Sequence, residues 1–279
     1  MTCETAFRTA ATHYLHQLTA QHRGGCAGEA TAIHSMRIAM TRLKTTMALF
    51  SPMVDGDERL RLAAELKWLN AHLGIVRDLD VALERLSKIK DKTKASERPW
   101  KKERAACQRH LSRALHSPRY QRLMADLTAW IENGDWSRKR TKKAIALRAQ
   151  PAGQYCSDTL KKWQAKLLKK SRNLKEFSAR KRHRVRLANK RLSYAIESTE
   201  RLALSGETPA ALKLLRKAQK SLGQLNDDER FRTLAAALGE DRLDGSDLVL
   251  DAKQKKRLLR KITSAYEELA ALEPLRMAE

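Results

Sequence analysis

The sequence predicts an all-α protein built from two related helical halves. Apolar residues recur every three or four positions through most of the chain, as on the buried face of a helix. No segment sustains the alternation of apolar and polar residues that is typical of a half-buried strand. Several residue types in the first half return in the second at a constant offset, which indicates an internal repeat. We therefore expect two homologous helical halves, packed together about a pseudo-two-fold axis.

The composition indicates a polyanionic partner. The 279 residues include 57 Lys and Arg against 32 Asp and Glu, which gives a formal net charge of +25. Such an excess of one sign destabilises a folded chain through self-repulsion, and a bound polyanion would relieve it. Nucleic acid, an anionic membrane and inorganic polyphosphate all meet this requirement. Aromatic residues make up only 5% of the chain, which is few for stacking on bases.

Cysteine usage and hydropathy predict a cytoplasmic protein. The 4 cysteines are scattered, without a CxxC pair or a spacing that suits zinc, as expected for reduced thiols. No apolar run reaches the ~18 residues that a membrane span needs. The N-terminus lacks the basic and then apolar pattern of a signal peptide. We expect no metal site, no cofactor and no membrane span.

The helices of the first half follow from apolar stripes and from residues that start or stop a helix. Glycines at 24, 25 and 28 should break the first helix, and Ser51-Pro52 should end the second. Asp57 suits the N-cap of the third, and Pro118 suits the first turn of the fifth. The predicted helices span about residues 5–22, 33–50, 57–90, 100–115 and 118–133.

The second half is predicted in the same way, with Pro209 at the first position of its third helix. Its helices begin near Gln154, before His183, at Pro209 and at Ala252, and Ser205-Gly206 should end the second of them. The charged residues 88–99 and the loop 245–250 are predicted connections. We expect a first repeat over about residues 1–135, a linker over about 137–153 and a second repeat over about 154–273.

Two of these helices carry the same amphipathic design. On a helix with 3.6 residues per turn, basic residues and one histidine share a broad arc, and the opposite arc is apolar. One basic arc consists of His34, Arg37, Arg42 and Lys44, and the other consists of His183, Arg186, Lys190 and Arg191. Each helix therefore offers a basic face with a histidine while its other face enters a core.

The offset between the two designs is 149 residues. It relates His34 to His183 and Arg37 to Arg186, and it continues without a gap into the following helix. There the related pairs are Leu66 and Leu215, Lys67 and Arg216, Leu73 and Leu222, Gly74 and Gly223, and Asp78 and Asp227. A register that holds across two helices and the loop between them indicates homologous halves, packed about a pseudo-two-fold axis.

Equivalent glycines and aspartates in this register suggest specific roles. A glycine in mid-helix costs about 1 kcal/mol relative to alanine, so Gly74 and Gly223 predict a close backbone crossing in each half. Asp78 and Asp227 are expected to hold basic side chains in place rather than to perform chemistry. The helix after Pro209 adds Lys213, Arg216, Lys217 and Lys220 at the spacing of one helical stripe.

The paired histidine helices resemble those of the CHAD family, the conserved-histidine α-helical domain. The similar stretches are HSMRIAMTRLKTTMALF, LKWLNAHLGIVRDLDVALERL, HSPRY from His116, and RHRVRLANKRLSYAIE. The resemblance covers essentially the whole chain, so residues 1–279 are identified as one CHAD-like domain of the stand-alone bacterial type. It implies an all-α fold of two pseudo-symmetric halves, each like a four-helix bundle, that form one compact domain with a basic central groove. This sequence departs from the family pattern at three positions. Thr41 stands where a basic residue is usual, Ser193 stands where arginine is common, and Lys44 replaces a usual arginine. The site of the first half therefore has fewer basic residues than the family pattern.

The resemblance implies non-catalytic binding of inorganic polyphosphate on a basic surface centred on the two histidine helices. It also implies an association with polyphosphate or polyhydroxyalkanoate granules. Arginine offers paired donors to phosphate oxygens and lysine a mobile charge. The predicted binding residues are His34, Arg37, Arg42, Lys44, Lys67, His183, Arg186, Lys190, Arg191, Lys213, Arg216, Lys217 and Lys220. We expect binding to strengthen at mildly acidic pH, where the histidines are protonated.

Two other functions remain open at this point. The charge alone also fits a helical protein that binds nucleic acid, and a scaffold that coats a storage granule would share the same basic surface. Enzymatic activity finds no support, because the sequence lacks a G-x-S-x-G elbow, a phosphate-binding P-loop and an H-E-x-x-H helix. We therefore expect no catalytic residues.

Overall fold

A computed structural model of the chain has the predicted all-α fold. It describes residues 1–88, 97–201, 208–238, 249–273 and 275. Within those ranges it contains thirteen α-helices and one short 3-10 helix, and its β-type pairing is a single bridge between Thr2 and Pro151. No helix in the described part of the chain has the length and apolar character to cross a bilayer. Most of the predicted connections at 88–99 and 245–250, and the break at Ser205-Gly206, lie outside the described residues.

The first compact unit comprises Met1–Glu84 and Lys92–Ala152. Its helices are α1 (Cys3–Ala20), α2 (His22–Ala27), α3 (Ala30–Leu49), α4 (Ser51–Val54), α5 (Asp57–Ser87, whose last residues belong to the other unit), α6 (Arg98–His116), α7 (Pro118–Asn133), α8 (Asp135–Arg138) and α9 (Lys142–Ala149). Phe7 lies in its core, where its ring meets those of Phe50, Trp130 and Trp136 edge to face at 5.1–5.9 Å. This cluster fixes α1 against the helices that surround it.

The second compact unit comprises Arg85–Asp91 and Gly153–Glu279. Its helices are α10 (Ala152–Ser171, which begins one residue earlier), α11 (Ala179–Arg201), α12 (Pro209–Ala237) and α13 (Ala252–Ala271), with the 3-10 helix at Leu174–Glu176. Asn189 of α11 is buried between two neighbours: its Nδ2 donates to the carbonyl oxygen of Leu215 at 3.0 Å, and the Tyr266 hydroxyl donates to its Oδ1 at 3.1 Å. These bonds link α11, α12 and α13 inside the core.

Two local predictions, the glycine break and the linker, differ from the structure. Gly24 and Gly25 lie inside α2 instead of ending a helix, and Gly28, with φ 83°, ends α2 in the left-handed region. A Cβ at Gly24 would lie 2.6 Å from the Cβ of Ala32, so glycine there lets α2 approach α3. Residues 137–153, predicted as a linker, contain α9, whose Arg148 donates to the carbonyl oxygens of Trp136 and Lys139.

The 149-residue offset also describes the positions of the helices. Cys3 and Ala152 begin α1 and α10, and Ala30 and Ala179 begin α3 and α11. Buried positions correspond as well on α5 and α12, at the pairs Leu62 and Ala211, Leu66 and Leu215, Leu69 and Ala218, Leu73 and Leu222, and Leu86 and Ala235. The two units therefore share the same helix starts and the same buried positions at the 149-residue offset. The pseudo-two-fold axis and the central groove stay predictions.

Candidate functional site

Helices α11 and α12 line a basic groove within the second unit. Two clefts of about 310 and 370 Å³ lie between these helices, and Arg186 contributes to both. We call them together the α11/α12 groove. Its basic side chains are Arg180, Arg182, His183, Arg186, Lys190, Arg216, Lys220 and Arg230. Two acidic residues, Asp227 and Glu229, also line it, so the arginines and lysines exceed the acids by seven to two.

Helical spacing places these side chains on facing walls. On α11, His183, Arg186 and Lys190 are three and four residues apart and share one face. Val185 and Leu192 of the same helix are buried on its other face, which anchors the wall to the core. On α12 the same spacing brings Arg216 and Lys220 to the facing wall. The groove is therefore the direct outcome of two amphipathic helices packed side by side.

His183 is held in one orientation by its neighbour on α12. Its Nδ1 lies 2.8 Å from Oδ1 of Asn226, and Nδ2 of Asn226 lies 3.4 Å from Oδ1 of Asp227. An ionised carboxylate only accepts hydrogen bonds, so Asn226 presents its amide nitrogen to Asp227 and its oxygen to the histidine. His183 Nδ1 must then carry a hydrogen. Its Nε2 carries a second one only when the ring is cationic.

Arg186 and Gly223 leave donor groups and space at the junction of the two clefts. The Nε atom of Arg186 is buried and makes no hydrogen bond within the described part of the chain. Gly223 lies on the facing wall, and a Cβ built there meets no described atom within 4 Å. The second cleft, which Arg186 also lines, is therefore open at Gly223.

The equivalent position in the first unit is filled. A Cβ at Gly74 would lie 2.9 Å from Nη1 of Arg37, so the glycine makes room for this guanidinium. The close approach predicted for Gly74 is therefore to a side chain and not to another backbone. The same prediction is wrong for Gly223, which has open space where Gly74 has Arg37.

Five of the predicted binding residues line the α11/α12 groove: His183, Arg186, Lys190, Arg216 and Lys220. Arg216 also lies 3.0 Å from Glu197 of α11, an ion pair at the surface. Lys213 is exposed one turn before Arg216. Lys217 lies on a different side of α12, where its Nζ is 3.0 Å from Oε1 of Glu268 on α13. The stripe expected on α12 is therefore divided between two faces.

Arg191 and its equivalent Arg42 stack on aromatic rings instead of facing the groove. The guanidinium of Arg191 lies 3.7 Å from the ring centroid of Trp163 on α10, and burial lowers its pKa. The guanidinium of Arg42 lies 6.0 Å from the ring of Tyr14 on α1. Tyr14 and Trp163 are themselves 149 residues apart, so the repeat includes this cation–π pair.

The remaining predicted residues lie on α3 and α5 of the first unit. His34 is exposed near the start of α3, and Arg37 is half-buried against Gly74. Lys44 is half-buried, and burial together with the positive charge of Lys67 lowers its pKa. Lys67 is exposed on α5. Within this unit Arg42 lies over the ring of Tyr14, while Lys44 and Lys67 are close enough for their positive charges to repel.

Sequence reasoning missed part of the groove. Arg180, Arg182 and Arg230 line the first cleft, as does Asn226, which positions His183. Arg230 and Asn226 could have been found from their spacing of seven and three residues after Gly223, which places all three on one face of α12. Asp227, predicted to hold basic side chains, accepts from Asn226 beside the groove.

Comparison with known proteins identifies the fold. A family model described as the CHAD domain matches residues 9–236. The crystal structure of the CHAD domain from the plant Ricinus communis superimposes with a TM-score of 0.78 at 25% sequence identity, over 99% of this chain and 94% of that one. No curated protein matches the sequence. Because the family model and the structural superposition both cover most of the chain, this protein belongs to the CHAD domain family.

Proposed function

We propose that the protein binds inorganic polyphosphate, without catalysis, on a basic surface that includes the α11/α12 groove. The observation that carries the proposal is the lining of this groove by seven arginines and lysines and by His183. Membership in the CHAD family supports it, because polyphosphate binding is what the resemblance to that family implies. Arginine forks and a positioned imidazole are donors that suit phosphate oxygens.

The spacing of the positive charges favours a densely charged, slender ligand. From Arg216 to Arg230 the α12 wall is roughly 20 Å long, at 1.5 Å per residue. Seven cations along that length neutralise a chain that carries about one charge per phosphate. A ligand that lies along this wall must also be slender and unbranched, so that its charges stay close to the basic side chains of both helices. Inorganic polyphosphate meets both conditions.

The lining also distinguishes polyphosphate from single-stranded nucleic acid. Apart from the imidazole of His183, the described lining of both clefts contains no aromatic ring. Proteins that bind single strands without sequence preference combine a basic groove with aromatic side chains on which the bases stack. The α11/α12 groove supplies the first of these features alone. Nucleic-acid binding thus rests on net charge, whereas polyphosphate binding rests on the groove.

A competition titration tests the proposal. The protein is titrated with polyphosphate of defined chain length in the presence of excess duplex DNA or excess tRNA. The two nucleic acids are used at the same concentration of phosphate groups. We expect the affinity for long-chain polyphosphate to change by less than about threefold, because the competitors fit the groove poorly. Displacement of polyphosphate by either nucleic acid would overturn the proposal and would favour nucleic-acid binding.

The same surface would recruit the protein to polyphosphate or polyhydroxyalkanoate granules in the cytoplasm. A fluorescently tagged protein should form foci in cells that accumulate polyphosphate and become diffuse in cells unable to make it. Foci that persist on polyester granules without polyphosphate would instead indicate a scaffold that binds the granule surface.

A further inference from the structure

We propose that the second half of the repeat alone supplies the polyphosphate-binding surface, and that the first half keeps the fold without the site. This inference rests on the proposed function and assigns it to one half. The 149-residue register makes a direct comparison possible, because each residue of the α11/α12 groove has a defined equivalent on α3 or α5.

Most of the positive charges of the groove have no basic equivalent in the first half. Arg186 and Arg216 correspond to Arg37 and Lys67. The other five basic residues, Arg180, Arg182, Lys190, Lys220 and Arg230, correspond to Thr31, Ile33, Thr41, Ala71 and Val81. Ile33 is fully buried, so the position of Arg182 belongs to the core in the first half.

The acidic residues are kept while the basic ones are lost. Asp227 and Glu229 correspond to Asp78 and Asp80, and the one additional basic residue on the first half's side is Arg77, opposite Asn226. At the positions equivalent to the groove lining, three basic residues thus accompany two acidic ones, compared with seven and two in the groove. Lys44, whose charge acts on Lys67, adds one positive charge where the second half has Ser193, and the excess of positive charge in the first half stays smaller. Asp80 is engaged in a different role, because its Oδ1 accepts from Nε of Arg104 on α6 at 3.0 Å.

The two halves also differ in the space next to the equivalent arginines. Arg37 lies against Gly74, at the position where a Cβ would be 2.9 Å from its Nη1. Arg186, its equivalent, lines the second cleft together with Gly223, where a Cβ would meet no described atom within 4 Å. Arg37 therefore occupies the space next to its glycine, whereas the space next to the glycine that faces Arg186 is open.

Asn226 adds a further difference at the histidine. In the second half it accepts from His183 and orients the ring at the groove. At the equivalent position the first half has Arg77, a side chain with donors only, which cannot accept from His34. The imidazole orientation seen in the second half therefore has no counterpart at this position in the first.

Two double variants at equivalent positions provide the test. Arg186→Gln with Arg216→Gln removes two positive charges from the groove, and Arg37→Gln with Lys67→Gln removes two from the first half, so both proteins have the same net charge. Affinity for polyphosphate of defined length is measured by calorimetry over a series of salt concentrations. Thermal unfolding of each variant shows whether it is folded.

The inference predicts unequal results. The groove variant should bind about tenfold more weakly or worse, with the slope of log affinity against log salt reduced by roughly 1 to 2, as expected when two phosphate contacts are lost. The first-half variant should keep its affinity within about twofold and its slope unchanged. If Arg37→Gln unfolds the protein, the single variants Lys67→Gln and Arg216→Gln, both at exposed positions, give the same comparison.

The possible outcomes separate the two proposals. Equal losses in both variants would overturn the one-sided site and leave polyphosphate binding intact. Unchanged affinity in both variants would overturn the proposed function together with the inference. A larger loss in the first-half variant would place the site on α3 and α5 and overturn the assignment to the groove.

Discussion

The hydrogen bond between His183 and Asn226 decides in which form the histidine can donate to a ligand in the groove. Because Nδ1 donates to Asn226, Nε2 is a bare acceptor in the neutral ring and a donor in the cationic ring. The charged side chains that line the first cleft around it are Arg180, Arg182, Arg186, Glu229 and Arg230, with Asp227 bonded to Asn226. The ring can therefore donate to a bound phosphate through Nε2 only in its cationic form.

Polyphosphate affinity should therefore rise as the pH falls from 8 to 6. A bound polyanion favours the cationic ring, in which Nε2 donates, so protonation of the ring and binding of the polyanion reinforce each other. His183→Gln should remove most of the change, because glutamine is neutral throughout. Asn226→Ala should reduce it, because the neutral ring can then place its hydrogen on Nε2. Calorimetric titrations at both pH values provide the measurement.

The matched control for this prediction is His34→Gln on α3. It removes the equivalent histidine and should leave the pH dependence of binding unchanged. A wild-type affinity that is the same at pH 6 and pH 8 would contradict the role assigned to the ring. So would a pH dependence that survives in His183→Gln and disappears in His34→Gln.

At the scale of the helices, the two mid-helix glycines offer a second comparison. Gly223→Ala adds a methyl group in open space on α12, so it should raise the free energy of unfolding by about 1 kcal/mol through helix propensity. Gly74→Ala on α5 must displace the guanidinium of Arg37 and should therefore stabilise by less. Chemical denaturation of both variants measures the difference.

If Gly74→Ala were instead the more stable variant, moving the guanidinium of Arg37 away from α5 would have no energetic cost. Gly223→Ala also serves as a binding control. The methyl group narrows the junction of the two clefts, so a weaker affinity with an unchanged salt slope would indicate that the ligand passes over Gly223.

The helices themselves were predictable where a local signal marks both the face and the end. Pro118–Asn133 and Ala252–Ala271 agree with the predicted bounds, because Ser117 and Asp251 cap their first turns with side-chain hydrogen bonds. The helix α2 was missed, since its glycines are there for the close approach to α3, which depends on tertiary packing. Helix α9 was assigned to a linker for a similar reason: it buries no residue of its own.

The site was predictable in part, because a basic arc on one helix does not reveal the neighbouring helix. His183, Arg186 and Lys190 were found from periodicity and repetition. Arg191 belongs to the same arc but stacks on Trp163, a contact set by the position of α10. Lys217 likewise pairs with Glu268 because α13 lies on that side of α12. Which face of a broad arc stays open is decided by packing.

For the whole molecule, the net charge couples stability and binding to salt in opposite directions. At +25 the free protein is destabilised by self-repulsion, which added salt screens, so its melting temperature should rise with moderate salt. The same salt should weaken polyphosphate binding, because the release of counterions into a more concentrated salt solution gains less entropy. Saturating polyphosphate should therefore raise the melting temperature most at low salt, where binding is tight and repulsion is strongest. Scanning fluorimetry over a grid of salt and polyphosphate concentrations measures both effects.

The groove variant Arg186→Gln with Arg216→Gln separates screening from specific binding in that grid. Losing two charges of 57 changes the overall repulsion little, so its free-state response to salt should follow that of the unmodified protein. Its stabilisation by polyphosphate should be smaller at every salt concentration, by an amount that follows its weaker affinity. Equal stabilisation of both proteins would mean that polyphosphate acts as a diffuse counterion over the whole basic surface. A smaller stabilisation confined to the groove variant, and absent from Arg37→Gln with Lys67→Gln, would locate the bound chain between α11 and α12.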